Sequence, residues 1–332
     1  MSADPERLLA LITGYWISQS IHAGVQTGIL DVLDDQPRSP DDVAEATGCD
    51  QEVVSRLLRY LSGLGLVERD GDNRYTTTDT ALLLRPGSNF RDLVLMYCGD
   101  LYRAWGEFGT AIRTGQTAFQ LAFGAERFEF LAQNKESARR FDRAMAAVTD
   151  LVGDELVKTY DFTLAPQVID IGGGNGSLLK KVLRAAPASY GVVVDRDHVV
   201  AQCRREFAES EFAGRLSARE GDFFQSLPTG GNVYLLARVL HDWDDDASTR
   251  LLRVCRKAMT TSAELVIVER LLPENDGTSL ASIWDMHMLA ITGGRERTRT
   301  EYAGLLSDAG FLLTEVRPLP LDMSVLIATP RG

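Results

Sequence analysis

QVIDIGGGNGSLLKKVLRAAP, residues 167–187, is the stretch from which the architecture can be read. Val168, Ile169 and Ile171 form a short apolar run that stops at four glycines interrupted only by Asn175. Leu178, Leu179, Val182 and Leu183 then recur at i, i+1, i+4 and i+5, one face of a helix with a 3.6-residue period. The stretch predicts strand, tight turn, helix. A helix N-terminus presents unsatisfied N–H groups and the positive end of its dipole, and glycines let a ligand come close to that backbone. This places a small-molecule cofactor site at the C-terminal edge of the first strand of an open α/β sheet. A plain βα connection is the alternative, but such loops rarely need so many glycines in series.

Working downstream, strand-like runs at 190–195, 216–220, 232–237 and 264–270 alternate with helical segments. That is the βαβ signature of a doubly wound, mostly parallel sheet. Closing strands near 311–317 and 321–328 follow without the same helix spacing. Working upstream, 89–161 reads as helical over 90–114, 125–132 and 135–160, with large apolar groups such as Met96, Tyr102, Phe108, Phe141 and Met145. Residues 7–33 are apolar all round, which predicts helices buried against more than one neighbour. Ser39-Pro40-Asp41-Asp42 opens a short helix ended by Gly48, a second helix spans 52–62, and 65–77 makes a hairpin. Helix, turn, helix and hairpin form a winged-helix pattern, so two domains are expected, 1–88 and 89–332, with 89–161 a helical substrate segment of the second.

A winged helix raises the alternative of a DNA-binding regulator. Arg56 and Arg59 on the candidate recognition helix are offset by Asp50 and Glu52, and the hairpin tip Asp70-Gly71-Asp72-Asn73 is acidic. With a net charge of −12, this face cannot supply the phosphate contacts that dominate DNA affinity. Packing against another copy is the favoured use, and no nucleic-acid partner is expected. The 45% hydrophobic and 25% charged content fits a soluble globular chain. No run approaches the ~20 apolar residues of a membrane span, and MSADPERLL lacks a signal-peptide core, so a cytoplasmic location without membrane contact is expected. The four cysteines form no close pairs, which suits a reduced compartment and gives no Cys-type zinc site.

The glycine loop alone does not choose a cofactor. Gly172 and Gly174 fit the dinucleotide fingerprint, but Ser177 stands at its last position, and no P-loop Gly-Lys-Ser/Thr follows. The second strand ends at Asp195, an acid that can accept both hydroxyls of a ribose, whether from NAD or S-adenosylmethionine. The third ends in Gly221-Asp222-Phe223-Phe224, an acid for an adenine amino group beside aromatics for its ring. The fourth leads to Arg238-Val239-Leu240-His241-Asp242-Trp243-Asp244-Asp245-Asp246. Asp245 or Asp246 suits the N-cap of the helix running to Met259. That accounts for carboxylates but not for His241, whose candidate partners are Glu269, ending the fifth strand, and Glu296 in Gly293-Gly294-Arg295-Glu296-Arg297-Thr298. No His/Asp/Glu spacing suggests a metal.

The set VIDIGGGNG, GDFF, LHDWDDD, VIVERLLP and WDMHMLAITGGRERT resembles the class I S-adenosylmethionine-dependent O-methyltransferases. The resemblance runs through nearly the whole chain. It is closest to the branch shared by plant caffeate and chalcone enzymes and the bacterial tailoring enzymes of phenazine, anthracycline and mitomycin pathways. It implies a Rossmann-like methyltransferase sheet, and a winged-helix segment that serves as a dimerisation domain of a homodimer. It also implies S-adenosylmethionine as donor, S-adenosylhomocysteine as product, no metal, and a phenolic aromatic small molecule as acceptor. By resemblance, Gly172, Gly174, Asp195, Asp222, Phe223 and Arg238 hold the cofactor. His241 is the general base, a neutral imidazole of ordinary pKa, with Glu269 and Glu296 beside it. Asp242, Phe141, Met145, Trp105, Trp284 and Met288 surround the acceptor. Two positions depart from the pattern: Ala237 where relatives often carry Lys or Ser, and Arg196-Asp197 in place of Leu-Pro. A same-fold protein with other chemistry is the alternative, against which the intact His241 and both glutamates argue.

Overall fold

The computed structural model describes residues 4–275 and 277–332. They divide into two compact units: residues up to Arg103 with Glu136–Ala147, and Ala104–Lys135 with Val148–Gly332.

In the first unit, helices Pro40–Thr47 and Gln51–Gly63 and the hairpin of β1 (Val67–Arg69) and β2 (Tyr75–Thr77) surround a core of Val25, Leu33, Val54, Leu58 and Leu61. Ser39 and Asp42 form a reciprocal capping box and Gly48 ends its helix in the left-handed conformation, the start and stop signals expected. One expectation needs correcting. The helix Pro5–Thr13 buries nothing in this protomer, and Leu8, Leu11, Ile12, Tyr15 and Trp16 are each at least half exposed. The all-round apolar pattern is present, but no second neighbour among the described residues of the unit covers it.

The second unit is built on β3 (Gln167–Ile171), β4 (Tyr190–Asp195), β5 (Leu216–Glu220), β6 (Val233–Ala237), β7 (Glu264–Leu272), β8 (Arg297–Thr298), β9 (Phe311–Pro318) and β10 (Met323–Pro330). The sheet order is β5-β4-β3-β6-β7-β10-β9, with β8 paired to the end of β7. The first five of these run parallel, and β10 runs antiparallel to both of its neighbours, β7 and β9. β3, β6 and most of β7 are buried on both faces, which explains their continuous apolar runs. Alternation sorts their side chains into two cores. Val168, Val193, Leu235 and Val266 pack on one side, Ile169, Ile171, Leu236 and Ile267 on the other. The helix Ser177–Ala185 buries Leu178, Leu179, Val182 and Leu183, the face read from its period. The strand order reverses between β3 and β6, so the carboxyl ends of β4, β3 and β6 open onto the crevice where such sheets bind ligands. Among the described residues no helix is long and apolar enough to cross a membrane.

Candidate active site

The glycine loop follows β3 without a break. Gly172, Gly174 and Gly176 all have positive φ, which side chains resist. A Cβ on Gly172 would stand 3.0 Å from Val239 and 3.7 Å from Phe223, so this glycine lets the loop lie against the turn after β6. Asp195, the last residue of β4, accepts from the Gly174 N–H at 2.9 Å and from the Arg196 N–H at 2.7 Å. Asp222 accepts from the Phe224 N–H at 2.9 Å and from Gln225 at 2.8 Å. Phe223, Phe224 and Trp243 form a small aromatic group. Arg238 holds the left-handed conformation at φ 55°, a strained turn of the kind that collects at functional sites. A nucleoside with a charged tail fits these residues: a carboxylate at two strand ends, an aromatic beside the loop, and a helix N-terminus stripped of side chains.

The loop also covers a buried acid. Asp170 is 1% exposed, its Oδ2 has no hydrogen-bond partner among the described residues, and it lies 2.4 Å from where a Gly173 Cβ would be. Burial, then the charge of Asp195, pushes its pKa up to about 7.

The second cluster sits on the turn after β6. His241 is buried, and its Nδ1 lies 3.1 Å from Glu296 Oε1 and 3.5 Å from Glu269 Oε2. Both glutamates have zero exposure. Glu269 Oε1 accepts from the N–H groups of Val239 at 2.9 Å and Leu240 at 2.8 Å, with His241 N–H at 3.4 Å. It therefore orients the turn as well as facing the imidazole. Glu296 arrives by a different route: β8 pairs Arg297 with Leu271 and Thr298 with Leu272, which sets it beside the end of β7. Its own N–H is held by Asp285 at 2.9 Å.

The imidazole is not the ordinary base expected from sequence. Burial by itself would lower its pKa, but the charges of Glu269 and Glu296 and the hydrogen bond to Glu296 outweigh it and raise it to about 9. Burial pushes Glu269 up to about 7 and Asp242 up to about 6. One ligand atom from each of His241, Glu269 and Glu296 lies within 4.8 Å of the others, a spacing that could hold a metal ion, and the direct 3.1 Å contact is equally that of an acid–base pair.

Two residues that sequence reasoning missed hold this turn. Arg297, fully buried, donates to the carbonyls of Leu240 at 3.1 Å and Trp243 at 2.7 Å, to Ser248 at 3.3 Å and to Asp245 at 2.9 Å. The Arg295 N–H donates to the His241 carbonyl at 2.8 Å. Gly294 permits that approach, since a Cβ there would meet the His241 oxygen at 2.0 Å. The helix Asp245–Ala258 is capped by Asp244, not by Asp245 or Asp246: Asp244 accepts from the Ala247 N–H at 2.7 Å, which leaves Asp245 for Arg297.

Of the expected acceptor residues, Trp105 and Trp284 flank His287, with ring centroids 6.4 and 5.5 Å from it, and Met288 is buried on the same helix, Leu280–Ile291. His287 was missed, although its place three residues after Trp284 on one helical face was a usable signal. Phe141 and Met145 lie in 136–147, part of the first unit. Ala237 ends β6, half-buried, and Arg196 precedes the helix Asp197–Ala208 with its guanidinium 5.5 Å above Phe128.

Residues 105–312 match the model of the O-methyltransferase domain, and residues 9–86 that of the O-methyltransferase dimerisation domain. The chain is 38% identical over 329 residues to the 3-amino-4-hydroxybenzoate 4-O-methyltransferase of Streptomyces cremeus, covering 98% of this chain and 90% of that one. It is 37% identical to the phenazine O-methyltransferase of Lysobacter antibioticus, covering 97% and 95%. The crystal structure of human N-acetylserotonin methyltransferase in complex with S-adenosylmethionine superposes with a TM-score of 0.91 at 27% identity, covering 100% and 99%. The two domain matches, the identity along nearly the full length and the shared fold agree, and the chain belongs to the family of S-adenosylmethionine-dependent O-methyltransferases that carry a dimerisation domain.

Proposed function

We propose that this enzyme methylates a phenolic hydroxyl of an aromatic small molecule, a secondary metabolite such as a phenazine or an aromatic polyketide, with His241 as general base. The observation that carries the reading is the buried His241 Nδ1 set on Glu296 at 3.1 Å with Glu269 at 3.5 Å. The aromatic side chains Trp105 and Trp284 with Met288 suit a flat acceptor, and two relatives are named for a hydroxybenzoate and a phenazine. Gly172, Gly174, Asp195, Asp222, Phe223 and Arg238 would hold the donor. S-adenosylmethionine supplies the methyl group as an electrophilic sulfonium.

The residues of the chain do the rest. Glu296 holds the proton on Nδ1, which leaves Nε2 to take the proton of the phenol as its oxygen attacks. A phenol has a pKa of about 10, so a base raised to about 9 receives that proton almost without uphill cost. Glu269, hydrogen-bonded to the backbone of the same turn, stabilises the imidazolium and fixes its position. The reading requires no metal. The apolar face of Leu8, Leu11, Ile12 and Trp16 is the proposed contact with a second copy, with 1–88 as the dimerisation domain.

His241→Ala tests the assignment. Turnover should fall by about 10²–10⁴-fold with cofactor affinity by isothermal titration nearly unchanged, and unchanged turnover removes His241 from the mechanism. Leu11→Asp with Trp16→Asp should convert the dimer to monomer by light scattering; a persistent dimer assigns the contact elsewhere.

A further inference from the structure

The base and its two glutamates offer a second use of the same atoms. His241 Nδ1 stands 3.1 Å from Glu296 Oε1 and 3.5 Å from Glu269 Oε2, and one ligand atom from each of the three residues lies within 4.8 Å of the others. Four-coordinate zinc holds nitrogen and oxygen at about 2.0–2.2 Å, which sets its tetrahedral ligands roughly 3.3–3.6 Å apart. Both distances from Nδ1 fall within about 0.2 Å of that edge.

The surroundings leave the carboxylates wanting a cation. Both glutamates have zero exposure, and Glu269 Oε2 and Glu296 Oε2 have no hydrogen-bond partner among the described residues. Glu269 Oε1 is fixed by the N–H groups of Val239 and Leu240, so its Oε2 is held facing Nδ1 rather than free to swing. The buried Arg297 gives its Nε to Asp245 and its terminal nitrogens to the carbonyls of Leu240 and Trp243. Asp242, the next residue on the turn, adds a third carboxylate rather than a positive charge. Buried charges are paired or coordinate metals, and a divalent cation on two carboxylates leaves no net charge.

We propose that His241, Glu269 and Glu296 form an inhibitory Zn²⁺ site, in which the metal takes the place of the Nδ1 proton and switches off the general base. The metal-free enzyme is the active form. An imidazole bound to metal through Nδ1 carries its proton on Nε2, which is then a donor and cannot take the proton of a phenol. From the neutral imidazole, the Nδ1 proton passes through solvent to Nε2; an imidazolium releases one proton. The exposed 11% of the His241 side chain is the way in. The inhibition rests on the reading of His241 as base and adds a regulation of that same site.

Zn²⁺ alone is the first probe, added to the full-length protein and followed by ultrafiltration with metal analysis. One equivalent per chain should be retained. Glu269→Gln or Glu296→Gln should weaken it by more than about 100-fold, since loss of even an outer partner costs 10–100-fold. Unchanged affinity for S-adenosylhomocysteine shows that each variant is folded. The unmodified enzyme decides independently of the variants: Co²⁺ should give the strong visible bands of a four-coordinate site, without thiolate charge transfer, and Zn²⁺ should erase them. Turnover of 2-naphthol, a phenol that does not chelate the ion, should fall about tenfold at a Zn²⁺ concentration ten times its Kd and return with a chelator. Mg²⁺, which demands octahedral oxygen ligands, should leave it unchanged. No stoichiometric uptake, a thiolate spectrum, uptake that survives both substitutions, or equal inhibition by Mg²⁺ overturns the proposal. Uptake lost in both variants with turnover untouched by Zn²⁺ confirms the metal site but refutes its control of the reaction, and with it His241 as the base.

Discussion

Gly294→Ala puts the positioning of His241 to a direct test. The added Cβ would fall 2.0 Å from the His241 carbonyl oxygen, 2.8 Å from the carbonyl carbon of Asp242 and 2.9 Å from its Cα. All three are backbone atoms and cannot swing away. A carbon–oxygen contact relaxes only at roughly 3.3 Å, so the turn must retreat by more than about 1 Å. The retreat breaks the 2.8 Å hydrogen bond from Arg295 N–H to His241 and draws the imidazole off Glu296. Misplacement of a catalytic group by 1 Å costs on the order of 10²-fold in rate, and the lost hydrogen bond about 1 kcal/mol of stability. Asp195 and Asp222 of the proposed donor site lie at other strand ends, while Arg238 and Val239 share the displaced turn, so cofactor affinity should fall by much less than turnover. Steady-state kinetics, titration of S-adenosylhomocysteine and a thermal melt separate these effects. Gly304→Ala, whose Cβ would have nothing within 4 Å, serves as the control. A Gly294→Ala enzyme that is folded and keeps its full kcat refutes the argument that this backbone contact holds the base in place.

The pH behaviour follows from the same cluster. His241 is raised to about 9, and a base must be unprotonated, so kcat should climb with pH up to about 9 rather than level off near neutrality. Glu296→Gln removes one of the charges that raise it, and the limb of the pH–rate profile should move down by at least about one unit; an unmoved limb removes Glu296 from contact with the base. Asp170 concerns stability. Its folded pKa, about 7, lies above the ordinary carboxylate value, so the folded state favours the protonated form, and stability is lost as pH rises through that range. Asp170→Asn should then be more stable than the parent at pH 8, by up to about 4 kcal/mol, and equal to it near pH 4 in urea melts, while equal stability at both pH values would argue against a buried charge there.

Much of the fold was legible because its signals are local. The run into four glycines and the face Leu178, Leu179, Val182 and Leu183 specify strand, turn and helix from spacing alone, and the structure places β3 and Ser177–Ala185 where that spacing predicts. His241, Glu269 and Glu296 could be named from residue type and motif. That they meet could not be derived from spacing. Glu269 and Glu296 are 28 and 55 residues away along the chain, and their approach depends on β8 pairing with β7 and on the Arg297 hydrogen bonds to the turn. Asp244 displaced its neighbours as N-cap for the same reason, because a buried arginine claimed Asp245. The exposed face of Pro5–Thr13 was misjudged because an apolar pattern states that burial is required, not which molecule provides it. By itself the sequence determined the strands of the parallel sheet and the glycine turn with its helix, and it named the candidate reactive groups. The segment read as one helix over 90–114 is instead broken into several pieces around a π-helical turn at Met96–Asp100. Only the tertiary structure decided the pKa of His241 and the neutral state of His287, since both depend on burial and on charges that distant segments bring within a few ångströms.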